Sequence, residues 1–383
     1  MIRRVVDRLT WLSYKREIRQ RWLSWDRAGG GKHAGNQIKP FQLLSRPSSV
    51  PIEPNDPILQ NPRFRSSLPF QTNRIYREYV YHIRKPCYIE PGFGYVIMEP
   101  AVLIPDSLAW SHFARVNGLL HLFSGVPLMK EYEAARQGKR SVRREQAVVS
   151  LRHVFDANYG HCLIQLMTAL LLLDECGVSP QIPIVVSSQL GHLPFFQEMI
   201  QRGVLRSRRW IVQDASYIYA QEVIFAATEW PSQSLLSRFL DAIEVPQGAH
   251  EAQRRLFILR RSRQLSNMDA LLPALDSFGF DRVRPEEFTF AQQIKLFSQA
   301  GIVCGAVGAA LTNVIFRRDA SAKVLEIQAS TEPDIFFHGL AKTCGYSHHY
   351  LIGSRYETDD RYSNFSVEPE RFRAFLSDAV ASI

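Results

Sequence analysis

Small residues between positions 301 and 316 have the composition of a phosphate-binding turn. An apolar run there leads into a glycine-bearing turn and then into the start of a helix. A ligand can touch the backbone at such residues, and the free N–H groups of a helix start attract an anion such as a nucleoside diphosphate. The expected contacts come from the turn and the first helical turn: Gly305, Gly308, Ala309, Thr312 and Asn313. The alternative is a tight turn with a structural role alone.

Two arginines and a glutamate could complete this anion site. Arg260 and Arg263 follow a predicted buried strand, and the planar guanidinium fork suits phosphate oxygens. The alternative is a solvated turn, because the surrounding residues are basic as well. Glu326 falls late in another predicted buried strand, where a carboxylate can accept hydrogen bonds from both ribose hydroxyls. Its alternative role is a buried glutamate paired with a neighbouring arginine.

A second group of polar residues precedes an apolar helix and could supply a base. His161 lies at the start of the helix predicted for residues 161–175, and a neutral imidazole there can take a proton from a hydroxyl. Asp156 is the rival base, and its alternative role is the N-cap of the same helix. For His161 the alternative is a satisfied structural histidine.

Patterns that would bind a metal ion are missing from the sequence. There is no Asp-x-Asp triplet, and the five cysteines form no CxxC pair. His348 and His349 are adjacent in a predicted strand, so their side chains are expected to point to opposite faces. We therefore expect no metal ion and no resident cofactor. The scattered cysteines favour a reducing compartment.

Two blocks of the chain together resemble glycosyltransferase family 61, a group that includes bacterial capsule-type transferases, EGF-domain O-GlcNAc transferases and plant xylosyltransferases. The first block runs from Asn158 to Leu163. The second block covers residues 256–327, and its matching positions fall in four groups: Arg260, Arg261, Arg263 and Asn267; Pro285, Glu286, Thr289, Phe290, Gln293, Leu296 and Phe297; the run from Gly305 to Phe316; and the run from Val324 to Ile327. The chain departs from the family pattern at several positions: Gln165, Met167 and Thr168, where acidic or proline residues are common, Val307, usually His, and Ala310, usually Gly.

The resemblance implies a GT-B architecture, in which two Rossmann-like domains face a cleft, and an inverting, metal-independent transfer of a sugar from a nucleotide sugar. In that reaction a base removes the proton of the acceptor hydroxyl, and the oxygen attacks the anomeric carbon opposite the leaving group. Cationic side chains and a helix N-terminus stabilise the departing nucleoside diphosphate. His161 or Asp156 would be the base, and Asn158 would join the donor-binding residues. The enzyme would be a hexosyl- or pentosyltransferase of polysaccharide biosynthesis.

The elements that must position these residues alternate between helix and strand after residue 148, which predicts an α/β fold with parallel sheets covered by helices. We expect a basic amphipathic helix and an extended linker over residues 1–73, and an acceptor-side Rossmann-like domain over residues 74–245. Residues 246–365 are expected to form the nucleotide-sugar-binding domain, and residues 366–383 a closing helix. The first domain should begin with a β-rich entry region over residues 77–123. Residues 131–146 should form a solvated helix or loop, and residues 244–253 a hinge.

The charge of the chain is concentrated at one end. Of a net charge of +9 over 383 residues, the first 40 residues carry ten Lys or Arg against three Asp or Glu. Residues 1–27 also show an apolar stripe, and a basic amphipathic helix of this kind fits an anionic membrane surface. The alternative is a cationic helix that packs on its own protein or stays mobile. With no predicted signal peptide or membrane span, we expect a cytoplasmic protein, peripheral at the inner face of the plasma membrane.

The expected partners are a UDP-sugar and a surface glycan or lipid-linked saccharide as acceptor. The rival function is a catalytically degenerate GT-B scaffold that binds glycan or nucleotide, which the Val307 replacement favours. Nucleic-acid binding is disfavoured, because the basic residues concentrate in one arm that carries no recognition motif. A pyruvyl transferase with a similar two-half fold is a more distant enzyme alternative.

Overall fold

The computed structural model describes residues 41–48, 56, 58, 76–99, 102–103, 128–152, 155–247, 254–331, 333–358, 360 and 363–381. The basic helix predicted for residues 1–27 and most of the predicted hinge lie outside these ranges. Among the helices described, none is long and apolar enough to cross a bilayer.

The strands of the described residues form two sheets. In chain order they are β1 (Phe41–Ser48), β2 (Tyr76–Ile83), β3 (Cys87–Ile89), β4 (Val96–Met98), β5 (Val102–Leu103), β6 (Val142–Ser150), β7 (Ile184–Ser187), β8 (Trp210–Gln213), β9 (Tyr217–Thr228), β10 (Arg254–Ile258), β11 (Phe280–Val283), β12 (Ala300–Ala306), β13 (Lys323–Gln328) and β14 (Ser347–Ile352).

The helices cover the sheets and connect their strands. In chain order the α-helices are α1 (Leu128–Arg136), α2 (Tyr159–His161), α3 (Thr168–Glu175), α4 (Ser188–Gly191), α5 (Pro194–Met199), α6 (Gln233–Ala242), α7 (Met268–Ser277), α8 (Phe290–Ser298), α9 (Phe336–Cys344) and α10 (Pro369–Ala381). A π-helical segment, Cys162–Met167, joins α2 to α3. The 3-10 helices are Gly203–Ser207, Pro285–Glu287 and Ala309–Arg317.

The first sheet is mixed, with the order β5-β4-β3-β9-β6-β7-β8 and with β1 and β2 joined to it through β9. The strand β9 pairs antiparallel with β2 and β3 on one edge and parallel with β6 on the other. Strands β6, β7 and β8 are parallel to one another, as the alternation of helix and strand predicts.

Two of these strands lie where the sequence predicts no strand. The strand β1 falls in the segment predicted to be an extended linker, and it pairs antiparallel with β2. The strand β6 takes up the second part of the segment predicted to be a solvated helix or loop, whose first part is α1. The charged start of β6 is extended because Val142 to Ser150 pair with β9, whose residues come 75 positions later in the chain.

The second sheet contains five parallel strands in the order β11-β10-β12-β13-β14. This matches the parallel set of strands and helices predicted for the second half of the chain. The strand order reverses between β10 and β12. In open parallel sheets, ligands bind outside the carboxyl ends of the strands at such a topological switch point.

The two sheets share their largest hydrophobic core. Leu170 and Leu172 of α3 belong to the same buried cluster as Phe316 and Phe337 from the second half. Polar contacts also cross between the halves, since Trp230 Nε1 donates to Thr343 Oγ1 at 2.9 Å. Helices between the sheets therefore pack directly on each other and fix where α2 meets the 3-10 helix Ala309–Arg317.

Candidate functional site

A cavity of about 320 Å³ lies at the carboxyl end of β10, beside the switch point. Its apolar wall includes Phe257, Ile258, Leu265 and Ala306. The charged side chains that line it are mostly cationic: Arg260, Arg263, Arg282 and Arg284, with Asp269 as the acidic member. An apolar cavity with a few convergent charged groups is the usual form of a small-molecule site.

Arg260 connects β10 to the glycine turn after β12. Its Nη1 donates to the carbonyl oxygen of Val307. The guanidinium lies directly over Gly308, so a Cβ at that position would overlap it and would force the arginine to shift. Burial, together with the charge of Arg263, lowers the pKa of Arg260 to about 10. The arginine remains protonated at neutral pH and has a second cation near it.

The arginines around the cavity differ in how they are neutralised. Arg282 and Arg261 pair with Asp276 and Glu286 at 3.2 and 3.3 Å. No described carboxylate lies within salt-bridge distance of Arg260. Its hydrogen bond to a carbonyl leaves its full charge available, so this part of the cavity favours an anion.

Arg263 takes an unusual backbone conformation. Its φ is +52°, in the left-handed region that side chains other than glycine rarely adopt. Such a conformation costs about 1–3 kcal/mol, and residues that adopt it are enriched at active sites and ligand sites. Arg263 lines the cavity together with Arg260, so the two donor-binding arginines predicted from sequence do come together.

The other predicted donor-binding positions near the turn serve the fold. Gly305 sits inside β12, where a Cβ would lie 3.0 Å from the Cβ of Ile258. Gly308 precedes the 3-10 helix and Ala309 begins it, and no side chain caps this helix start. The turn therefore has the predicted strand–glycine–helix order, with a 3-10 helix in place of an α-helix.

A buried hydrogen-bond network, here called the interlock, joins α2 to the second half of the chain. It consists of Tyr159, Gln293 and Asn313. The Tyr159 hydroxyl contacts Asn313 Oδ1 and lies 3.2 Å from Gln293 Oε1, and Asn313 Nδ2 donates to Gln293 Oε1 at 3.2 Å. Burial raises the pKa of Tyr159, which keeps its hydroxyl protonated as a donor. Asn313 therefore holds the halves together and does not line the cavity.

Thr312 also faces α2 instead of the cavity. Its side chain is fully buried, and its Oγ1 makes no hydrogen bond to the described residues. A Cβ added to Gly160 would lie 2.7 Å from that oxygen, so the glycine allows the two helices to approach. Helix packing therefore explains why a glycine stands at position 160, in the block from Asn158 to Leu163.

His161 is held in one orientation. Its ring stacks on Phe155 with centroids 5.4 Å apart and lies 6.3 Å from the ring of Phe336 at the start of α9. Gln165 Nε2 donates to the Glu229 carbonyl at 2.8 Å, so Gln165 Oε1 accepts from His161 Nδ1–H at 2.6 Å. The lone pair of the ring is then on Nε2. Burial lowers the pKa of His161, which keeps the imidazole neutral at pH 7.

Asp156 is buried and engaged with the first half of the fold. It accepts a hydrogen bond from Ser187 Oγ at 2.8 Å, and its Oδ2 lies 3.5 Å from Arg152 Nε. The N-cap role predicted for it is wrong. Asn158 caps α2, because its Oδ1 accepts from the backbone N–H groups two and three residues further on, at 3.0 and 3.3 Å. The Asn158 oxygen assigned to donor binding thus serves the helix start.

Glu326 lies in β13 with its side chain fully buried. Its Oε2 is 2.9 Å from His348 Nε2, so its partner is a histidine and not the arginine considered in the sequence analysis. Burial raises the pKa of Glu326 to about 8. Glu326 does not line the cavity around Arg260. His348 and His349 belong to no cluster that could hold a metal ion among the described residues.

Three functional candidates were missed by the sequence analysis. Arg282 and Arg284 stand two residues apart around the end of β11, and this spacing could have placed them on one side of the sheet with the cavity. Gln165 orients His161 from one helical turn away, a spacing that also could have been recognised.

Comparisons with known proteins agree with the motifs. Residues 159–325 match the model of the family described as Glycosyltransferase 61. No curated protein matches the chain. Among solved structures, the chain is similar to a dodecameric iron-containing heptosyltransferase, TibC, in complex with ADP-D-beta-D-heptose. That likeness has 9% identity and a TM-score of 0.26, and it covers 58% of this chain and 65% of that one, so it supports no argument about fold or ligand.

Proposed function

We propose that this glycosyltransferase, whose residues 159–325 match the Glycosyltransferase 61 model, moves a sugar from a UDP-sugar to a hydroxyl of a surface glycan or lipid-linked saccharide. The transfer proceeds with inversion and without a metal ion. The observation that carries the proposal is the cationic cavity at the switch point of the parallel sheet, where Arg260 keeps its charge beside Arg263. The GT-B arrangement, with the second sheet on the donor side, is part of the same proposal.

The diphosphate of the donor binds to the two arginines. Each cation raises the energy of the other in this half-buried place, as the lowered pKa of Arg260 indicates. An anion between them removes that repulsion and gains charge-assisted hydrogen bonds. As the bond to the sugar breaks, negative charge grows on the leaving diphosphate. The same two guanidinium groups stabilise it more strongly than they stabilise the ground state.

His161 removes the proton of the acceptor hydroxyl. The hydrogen bond to Gln165 keeps Nδ1 protonated and puts the lone pair on Nε2, the nitrogen that takes the proton. The acceptor oxygen then attacks the anomeric carbon while the nucleoside diphosphate leaves from the opposite face. Asp156 is less suited to be the base, since Arg152 and Ser187 already engage its carboxylate.

A thermal-shift titration with nucleotides tests donor binding. A ligand that binds only the folded protein raises its melting temperature as ligand concentration rises above the Kd. We expect UDP to raise the melting temperature with EDTA present, and Arg260→Ala to abolish the shift. Arg261→Ala is the matched control, because Arg261 is adjacent, exposed and paired with Glu286. The absence of a shift with every nucleoside diphosphate tried would overturn the proposed donor site.

Turnover separates the enzyme from the degenerate scaffold that Val307 favours. The backbone of Val307 accepts from Arg260 and its N–H donates to the Ile327 carbonyl, so both contacts are independent of its side chain. We therefore expect hydrolysis of the UDP-sugar donor even without acceptor. Binding of UDP without any hydrolysis or transfer would favour the scaffold.

Membrane attachment through the basic N-terminal residues completes the proposal. Deletion of residues 1–30 should release the protein from vesicles that contain anionic lipid, because the deletion removes most of the net positive charge. UDP binding should be unchanged. Equal partitioning of the full and shortened chains would contradict this localisation.

A further inference from the structure

Four titratable side chains form a continuous buried line away from the cavity. Asp56 Oδ2 lies 3.0 Å from His338 Nε2. The Nδ1 atoms of His338 and His348 are 3.1 Å apart, and His348 Nε2 lies 2.9 Å from Glu326 Oε2. The four residues, here called the carboxyl–histidine line, come from different parts of the fold. Asp56 precedes β2, His338 is in α9, His348 in β14 and Glu326 in β13.

The hydrogen positions along this line follow from its chemistry. The Asp56 carboxylate accepts a hydrogen bond from Ile58 N–H and pairs with Lys342, and these contacts lower its pKa despite burial. An ionised carboxylate only accepts, so His338 Nε2 carries a hydrogen. Burial lowers the pKa of His338 to about 4, so its ring is neutral at pH 7 and its Nδ1 is an acceptor.

The second histidine must then have the opposite tautomer. His348 Nδ1 faces the acceptor nitrogen of His338 and has to donate to it. Burial lowers the pKa of His348 to about 4, so this ring is neutral as well and its Nε2 is an acceptor. A hydrogen bond between that nitrogen and Glu326 Oε2 forms only when Glu326 carries a proton. The raised pKa of Glu326 agrees with this.

We propose that the carboxyl–histidine line holds Glu326 protonated and acts as a proton-linked latch that fastens the chain at Asp56 to the second sheet. Loss of the single carboxyl proton leaves two acceptors facing each other at one point of the line, whichever tautomers the rings adopt. One hydrogen bond must then break. The latch is closed at neutral pH and weakens under alkaline conditions.

The groups around the line do not change this conclusion. Lys342 of α9 faces Asp56 at 3.2 Å and keeps it ionised. The ring of Tyr350 stacks on His348 with centroids 6.4 Å apart. Asp334, in the segment before α9, lies near Glu326 and has its own pKa raised to about 6 by burial and by that neighbour. A second carboxylate nearby disfavours ionisation of Glu326 and so supports the protonated form.

The latch predicts a particular dependence of stability on pH. An unfolded glutamate loses its proton near pH 4.5, whereas folded Glu326 keeps it up to about pH 8. Between these values the folded state holds one more proton than the unfolded state, so stability falls as pH rises. The two histidines oppose this below pH 6.5, since their folded pKa values lie near 4. Asp334, whose pKa is also raised, adds to the pH dependence, so the difference between the wild type and a variant that lacks the carboxyl proton isolates the Glu326 effect.

Denaturant unfolding at a series of pH values tests the proposal. One extra bound proton changes the folding equilibrium constant tenfold per pH unit. Half of this proton is lost by pH 8, so the Glu326 contribution should lower the constant about 15-fold between pH 6.5 and 8. Glu326→Gln keeps a donor for His348 and has no proton to lose, so this fall should be missing from its curve. His349→Gln, on the opposite face of β14, is the matched control and should keep the fall in stability that Glu326→Gln loses. Equal slopes for the wild type and Glu326→Gln would overturn the latch.

Two further measurements report on the line directly, and the first needs only the wild type. In wild-type protein labelled with nitrogen-15 histidine, His338 should show the Nε2–H tautomer and His348 the Nδ1–H tautomer at pH 6.5. An Nε2–H tautomer at His348 would mean that Glu326 is ionised and would contradict the proposal. Hydrogen exchange of the Ile58 amide, which donates to Asp56, reports the fastening itself. At pH 8.5 it should be severalfold faster in the wild type than in Glu326→Gln, and equal rates would contradict the latch.

Discussion

The cationic cavity and the interlock both contain residues of the family-like blocks, but these residues have different surroundings in the two regions. At the cavity, Arg260 and Arg263 converge on an apolar wall, and no described carboxylate neutralises Arg260. At the interlock, Tyr159 and Asn313 are turned toward each other and satisfied within the protein. Polar residues that a family pattern marks together thus divide into Arg260, whose charge no described carboxylate neutralises, and those that join the two halves. The division follows from whether a protein partner already meets each charge or hydrogen bond.

Replacement of His161, the proposed base, should have the largest effect. His161→Ala should lower kcat/KM by about 10²–10⁴-fold, the usual contribution of a general base. His192→Ala, at an exposed histidine, is the control. In the wild type the rate should fall as pH falls through the pKa of His161, which burial places below its ordinary 6.5. An unchanged rate in His161→Ala would show that His161 is a structural histidine and not the base.

Removing a residue of the interlock should lower the free energy of unfolding and leave the reaction rate of the folded enzyme unchanged. Asn313→Ala leaves the Tyr159 hydroxyl and Gln293 without their buried partner and opens a small cavity. We expect a loss of about 3 kcal/mol in the free energy of unfolding. Gln292→Ala, at the neighbouring exposed helix cap, is the comparison and should cost less. If UDP binding falls while stability holds, Asn313 belongs with the ligand-binding residues after all.

The close approach of Gly160 and Thr312 can be tested with one destabilising substitution and a second substitution that should restore stability. Gly160→Ala places a methyl group 2.7 Å from Thr312 Oγ1 and should cost about 2 kcal/mol of stability through overpacking. Thr312→Ala removes that oxygen, so the double variant should recover part of the loss. Additive effects in the double-mutant cycle would show that the two positions do not act on each other.

The smallest expected effect comes from the hydroxyl of Tyr159. Tyr159→Phe keeps the ring against Phe195 and removes one hydrogen-bond donor from the interlock. The free energy of unfolding should fall by about 1 kcal/mol, the usual net contribution of one hydrogen bond. Donor hydrolysis should be unaffected. A large loss of activity with normal stability would place Tyr159 at the reacting groups.

The sequence by itself determined the order of the elements and part of the site. Hydrophobic periodicity and caps act over a few residues, so the parallel second half was predicted strand by strand, and α10 (Pro369–Ala381) falls within the closing helix predicted for residues 366–383. The same local reasoning placed Arg260 after a strand that ends at the switch point. Local reasoning did not predict strand β6, because β6 is extended through its pairing with β9, which lies in a distant part of the chain.

Tertiary structure alone decided which polar residues have partners. Asp156 meets Ser187, Tyr159 meets Asn313, and Glu326 meets His348, all at separations of 22 to 154 residues. A side chain's neighbours set both its exposure and its pKa, and neither can be deduced from spacing along the chain. The sequence therefore names the residues able to bind a diphosphate or take a proton. The packing of the two sheets determines which of them remain available to do so.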